Sequence, residues 1–274
     1  MNKEDVDPEI VQAYLEGGEQ GRLNSGTGLL EYLRTQELLA RHLPAPPATI
    51  ADIGGGAGVY ALPLAVQGYQ VHLVDPVSLH IEQARTASSA QPQRPLASVS
   101  LGDARDLEFG DETMDGVLLL GPLYHLTERE DRLKALEEAR RVVRRNGVVV
   151  AAAVSRFTSL IDGLKNDRLQ EPEFERIVRR DLSDGQHRNS TRHTDWWTTA
   201  YFHTADELNR ELTEAGLVEK EIVAVEGLGI LAHLDEWLRD DSLRPRLLDL
   251  LRSVEHEPRL LHLTYHILII GYRP

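Results

Sequence analysis

The run Asp52-Ile53-Gly54-Gly55-Gly56-Ala57-Gly58 constrains this chain most, because it joins a short apolar stretch, Thr49–Ile53, to a helical stretch that reaches Gln67 and stops at Gly68. Glycines at a strand-to-helix turn let the backbone reverse tightly and come close to a ligand with no Cβ in the way. From this turn onward the pattern alternates. Gln70–Val74, Ala97–Leu101 and Asp115–Leu120 read as strands, ended by Asp75-Pro76, Gly102-Asp103 and Gly121-Pro122. Ser78 can cap a helix to about Ala90. Thr127 and Glu130 make a capping box for another, with Leu133, Leu136, Val142 and Val143 on one face and Asn146-Gly147 as its left-handed stop. Val148–Val154 is an uninterrupted apolar run, as expected of a strand covered on both faces. Strands alternating with helices predict an α/β fold with a doubly wound, mostly parallel sheet.

Outside this stretch the pattern differs. Residues 8–43 read as helical with a glycine-rich break over Gly17–Gly28, and Pro44, Pro46 and Pro47 end the unit. After Ser155 the alternation lapses, and 156–203 is polar and aromatic, with Trp196, Trp197, Tyr201 and Phe202 close together. Thr204 and Glu207 form a second capping box for a helix through Ala215, ended by Gly216. Leu217–Glu226 reads as a sixth strand, 228–261 as helical, and His262–Tyr272 as a last strand. The expected organisation is an N-terminal helical lid, 1–45, and a main domain, 46–274, with insertions at 156–203 and 228–261.

A length of 274 residues allows one domain or two, and an apolar fraction of 41% is enough for a real core. The absence of cysteine excludes disulfides, thiolate metal sites and cysteine nucleophiles. No apolar run approaches the roughly 18 residues of a membrane span, and Met1–Glu9 is acidic and polar, unlike a signal peptide. A cytoplasmic protein is expected. A formal charge of −14 repels nucleic-acid phosphate and anionic lipid. The basic group Arg140, Arg141, Arg144 and Arg145 falls at a helix end, where cations complement the dipole. His187, His193 and His203 lack tight ligand spacing, so no metal site is expected.

The glycine loop itself discriminates between ligands. A dinucleotide fingerprint starting at Gly54 would need glycine where Val59 stands, and the Gly-Lys-Ser/Thr of a triphosphate loop is absent. Asp75, at the end of the second strand, can accept both hydroxyls of an adenosine ribose, which supports a nucleoside without choosing the cofactor. Asp103, at the end of the third, can accept an adenine amino group. Asp52, Asp75 and Asp103 thus sit at the carboxyl ends of consecutive strands, the edge at which open α/β sheets bind ligands.

These segments carry a family resemblance. IADIGGGAGVYALPLA resembles the first motif, D-x-G-x-G-x-G, of class I S-adenosylmethionine-dependent methyltransferases. VHLVDP resembles their acidic motif, LGDARDL the adenine-side motif, and MDGVLLLGPLYHLTE with RRNGVVVAAAV the fourth strand and the unit after it. The resemblance covers about residues 48–154 in order, and more loosely the strand pair 217–272. It implies S-adenosylmethionine as cofactor and a seven-stranded sheet whose last strand, assigned to 262–272, is antiparallel. It places Gly54, Gly56 and Gly58 at the methionine part, Asp52 at the amino group directly or through water, and Asp75 at the ribose. Asp103 and the Ala104 backbone would face adenine, and Leu120 and Gly121 would lie beneath the sulfonium.

On this reading a methyl group passes to an O, N or C atom of a small-molecule acceptor. His125 is the candidate general base, since an ordinary histidine pKa of about 6.5 suits proton transfer near neutrality. Tyr124 would shape the pocket, and Tyr14 and Arg22 are lid candidates. Trp197, Tyr201 and His203 would form a wall for a flat or apolar acceptor. The insertion 228–261 would cover the pocket or form a homodimer surface. Leu120-Gly121-Pro122-Leu123 stands where Asn-Pro-Pro-aromatic would be, which argues against methylation of DNA bases or protein glutamine; another protein acceptor stays open. Two rival readings remain: an NAD(P)-dependent oxidoreductase, against which the glycine spacing argues, and a non-catalytic S-adenosylmethionine-binding regulator.

Overall fold

The computed structural model describes residues 21–191, 193 and 196–274. A long helix, α1 (Gly26–His42), leads into the alternating core: β1 (Thr49–Ile53), α2 (Ala61–Val66), β2 (Gln70–Asp75), α3 (Ser78–Ala90), β3 (Ser98–Leu101) and β4 (Met114–Leu119). A single turn, α4 (Pro122–His125), precedes α5 (Arg129–Val142) and the long β5 (Val143–Ser155). The remaining elements are α6 (Thr158–Lys165), α7 (Pro172–Asp184), β6 (Gln186–His187), β7 (Ala200–His203), α8 (Ala205–Glu214), β8 (Val218–Ala224), α9 (Leu234–Arg239), α10 (Leu243–Val254) and β9 (His266–Tyr272).

The central sheet runs β3-β2-β1-β4-β5-β9-β8. Its first five strands are parallel, and β9 lies antiparallel between β5 and β8. The apolar run of β5 has the expected cause. Val149, Ala151 and Ala153 join one core with α5 and α8, and Val148, Val150 and Ala152 join the other with α1, α2 and α3. Each face of a strand takes alternate side chains, so two buried faces demand an unbroken apolar sequence.

Several local expectations need correction. β6 and β7 were not anticipated. The last two residues of β5 run past the end of its pairing with β4, and there Val154 and Ser155 take Phe202 and His203 of β7 as parallel partners. Asp75, not Ser78, organises the start of α3, because its carboxylate accepts the Val77 N–H at 2.9 Å and leaves Ser78 inside the helix. α5 begins at Arg129 with no side-chain cap, and the Thr127 carbonyl instead accepts from Arg132. Asn146 does take a left-handed conformation, φ 60°, but the helix has already ended at Val142 and Val143 is extended. The box at Thr204 and Glu207 forms in full.

The two halves of α1 pack differently. Leu38 and Leu39 enter the sheet core, whereas Leu30 packs on Leu234, Leu238, Leu247 and Leu251 of α9 and α10. The start of α1 and the helical insertion therefore share one small core. No helix among the described residues is long and apolar enough to cross a membrane.

Candidate active site

A cavity of about 770 Å³ opens at the carboxyl ends of β1, β2 and β4. Its floor is the glycine turn. The Gly54 N–H bonds the Val74 carbonyl at 2.7 Å, which folds the chain back over β2 as soon as β1 ends. Gly54 has φ +68°, and a Cβ there would lie 2.7 Å from the Pro122 ring, so only glycine fits. Gly56 has φ +58° and faces open space, and its N–H donates to Asp75 Oδ2 at 2.8 Å. Gly58 does not line the cavity, contrary to the expectation; it sits against Leu62 and serves the packing of the turn.

Asp52 lies beneath this turn and is 1% exposed. Among the described residues, its Oδ2 has no hydrogen-bond partner. Burial, with the nearby Asp75 carboxylate, pushes its carboxyl up to about 7. A buried carboxylate with no counter-charge among the described residues, on the wall of a cavity, is costly until a cation arrives. Asp75 is also buried. Its Oδ1 accepts from Val77 N and, at 3.0 Å, lies against His80 Nδ1.

At the other end stand Asp103 and Ala104. Asp103 is already engaged by Arg105, through the backbone N–H at 2.8 Å, Nε at 2.9 Å and Nη2 at 2.6 Å. Burial would raise the Asp103 carboxyl, but Arg105 outweighs it and holds the pKa below the usual range. Arg105 Nη1 reaches Asp131 at 2.8 Å. Arg105 and Asp131 also line the cavity, and neither was anticipated.

Leu120, Gly121, Tyr124 and His125 form the wall that follows β4. A Cβ on Gly121 would lie 3.2 Å from the Gly54 carbonyl and 3.7 Å from the Tyr124 hydroxyl, so these groups converge on one spot. Burial pushes His125 down to about 4, against the opposing pull of Asp75. It is therefore neutral near pH 7 and a weaker base than an ordinary histidine. Arg22 also lines the cavity, on a short turn, Arg22–Asn24, and pairs with both carboxylate oxygens of Glu31 of α1. Glu31 and Tyr60 complete this end, and they too were not anticipated. Tyr14 lies outside the described residues.

Trp197, Tyr201 and His203 do not line the cavity. Trp197 packs with Val154, Ala200 and Phe202, the same buried group against which Tyr124 packs. The Tyr201 ring lies 3.7 Å under the Arg132 guanidinium, and His203, fully buried, bonds Glu211 at 3.2 Å. The aromatic cluster is thus a support for the rim and not its surface.

Residues 51–151 match a family model described as a methyltransferase domain. The O-methyltransferase resE of Aspergillus sclerotiorum is 31% identical over 111 residues, 40% of this chain and 41% of that protein. The chain thus matches less than half the length of this curated relative. Magnesium protoporphyrin IX methyltransferase of Synechocystis PCC 6803, solved with bound SAH, aligns with a TM-score of 0.62 at 14% identity, over 98% of this chain and 100% of that one. The [4+2]-cyclase SpnF aligns at 0.56 and 16% identity, over 89% and 81%. At such identities the likeness is one of fold. Residues 51–151 thus carry a methyltransferase domain, and the fold around them is the one shared by solved S-adenosylmethionine-dependent methyltransferases.

Proposed function

We propose that this protein is an S-adenosylmethionine-dependent methyltransferase acting on a small-molecule acceptor. The observation that carries the reading is the buried Asp52 carboxylate, with one oxygen unpartnered, beneath a side-chain-free turn whose Gly56 N–H is fixed by Asp75. Such a site fits a cationic, adenosine-bearing ligand. Asp52 would take the amino group, Asp75 the ribose hydroxyls, and the Ala104 backbone the adenine edge, with Arg105 setting the charge of Asp103. The bound cofactor supplies a methyl group on a positively charged sulfur. The chain's part is to hold the two reactants in line and keep water out, which is where most of such an acceleration arises.

Gly121 and the Tyr124 hydroxyl mark the end of the cavity where the acceptor would lie, with Tyr60, Glu31 and Arg22 around it. The segment 21–24 and the first turns of α1 would act as a lid over it, and the insertions 156–203 and 228–261 would support its walls. His125, neutral near pH 7, would receive a proton from a protic acceptor. Its low basicity suits a modest contribution, so His125→Gln should lower kcat by roughly 10²-fold or less and leave SAH affinity unchanged. Unchanged turnover in that variant would remove the role.

The reading is tested with the full chain. SAH should raise Tm and NADH should not, by mass action on the folded state. The fold also hosts a cyclase, so binding alone does not decide. Transfer of an isotope-labelled methyl group to a metabolite of a cell extract, identified by mass, is the deciding result; stabilisation by SAH with no labelled product across a broad acceptor panel would favour a non-catalytic binder.

The raised pKa of Asp52 gives a pH prediction. A protonated carboxyl cannot pair with an ammonium, so SAH affinity should rise as pH increases through about 7. Between pH 6 and 8 the gain should be roughly tenfold, and Asp52→Asn should flatten it. Calorimetric titrations at three pH values check this; a flat wild-type profile would refute it.

A further inference from the structure

We propose that residues 21–25 form a strap across the acceptor end of the cavity, seated on Gly28 and latched by Arg22 on Glu31, and that its opening sets the rate at which SAH enters and leaves. The inference rests on the methyltransferase reading and specifies the lid within it. Gly21, Arg22, Leu23 and Asn24 all line the cavity. Gly21, Arg22, Asn24 and Ser25 are exposed, so the segment has solvent on its outer side. A single turn holds its shape, since the Asn24 N–H bonds the Gly21 carbonyl at 3.0 Å. Glycines with positive φ bracket it, Gly21 at +88° and Gly26 at +54°. The chain thus has a pivot at each end where no Cβ resists rotation.

Gly28 provides the seat. A Cβ built there would overlap the Arg22 carbonyl oxygen and lie 2.8 Å from the Arg22 carbonyl carbon and 3.3 Å from the Leu23 Cα. All three are backbone atoms, so no side-chain rotation could make room. The strap lies against α1 only because position 28 has no side chain. The helix itself has no need of a glycine there, since Gly28 lies within α1 and alanine is the better helix former.

Arg22 provides the latch. Its Nη1 and Nη2 donate to Glu31 Oε2 and Oε1, the second at 3.1 Å, in the paired geometry that orients a guanidinium. The Arg22 side chain is 37% exposed, against 12% for Glu31, and a pair so open to water holds only weakly. Glu31 does not depend on it alone. His266 Nδ1 stands 3.6 Å from Glu31 Oε2 and 2.6 Å from Glu226 Oε1. Burial opposes a charge on His266, but the two carboxylates outweigh it and raise its pKa. When Arg22 lets go, Glu31 keeps the imidazole beside it, so the latch opens without stranding a buried carboxylate. Opening of such a segment is a step that can govern product release.

The test uses the full chain and two readouts. Surface plasmon resonance with SAH as analyte gives kon and koff. Arg22→Gln, which cuts the latch, should raise both by about threefold to fivefold. Gly28→Ala, which unseats the strap, should raise koff by about tenfold or more, with kon also increased. Without SAH, trypsin should cleave after Arg22 about fivefold faster in Gly28→Ala and Glu31→Gln than in wild type, because cleavage of a segment that opens and closes quickly follows its open population. Unchanged rates in Gly28→Ala, or a koff that rises while kon falls, which marks damage to the cavity, overturn the proposal. A wild type that binds no SAH refutes the methyltransferase reading and the strap's role with it; SAH binding with unchanged rates in the variants refutes the strap alone.

Discussion

Replacing Asp75 by alanine is expected to weaken SAH binding by at least tenfold and by as much as about 10²-fold. A hydrogen bond to a charged group contributes about 1.5–3 kcal/mol, and about 1.4 kcal/mol is a factor of ten in affinity. Losing one ribose hydroxyl already reaches the lower bound. The same carboxylate also fixes the Gly56 N–H at 2.8 Å and the Val77 N–H at 2.9 Å, so its removal loosens the turn and the start of α3 together. A further readout sets the proposed role apart from general damage. Asp75 is one of the two causes that raise the Asp52 carboxyl. Without it, the midpoint at which affinity rises with pH should fall below about 7. Calorimetry at several pH values reads both effects; wild-type affinity in the variant would refute the ribose assignment.

What the sequence disclosed, and what it withheld, follows from the range of the interactions. The strands and the glycine turn were legible because their causes are local. A doubly covered strand must be apolar throughout, as Val148–Val154 is, and a turn that admits no Cβ must be glycine, as at Gly54. The start of α3 was misread because two local caps competed. Ser78 and Asp75 both can begin a helix, and only the fold shows that the Asp75 carboxylate already reaches Val77. Arg105 and Glu31 were invisible for another reason. Arg105 binds Asp103 two residues away, but its place in the cavity depends on Asp131 of α5. Glu31 enters the site only because Leu38 and Leu39 seat the second half of α1 on the sheet, which leaves its first turns at the cavity. Tyr201 and His203 were legible as a cluster, but their partners Arg132 and Glu211 come from α5 and α8, and those partners turn them inward.

That inward cluster carries the second large expectation. Glu211→Gln should destabilise the fold by about 3–5 kcal/mol, the usual cost of breaking a buried ion pair from one side. Arg132 is 1% exposed and donates to both Glu211 oxygens, from Nε at 3.2 and 3.0 Å and from Nη2 at 2.8 Å. Burial opposes the charge on Glu211, but His203 and Arg132 outweigh it and hold its pKa at about 2. A carboxylate whose folded pKa lies below its ordinary 4.5 stabilises fully above that value and loses the effect as pH falls toward 2. The stability gap between wild type and variant should therefore be constant from pH 5 to 8 and close in acid. At neutral pH it should appear as a fall in Tm of roughly 10 °C. The consequence reaches the cavity, because Arg132 Nη1 also donates to the carbonyls of Leu126 and Thr127 at 3.0 and 2.9 Å, and both residues line it next to His125. A released Arg132 would let that rim shift, so any surviving activity should show a lower kcat with SAH affinity largely retained. Equal Tm values for variant and wild type at pH 7 would show that the pair does not hold the rim in place.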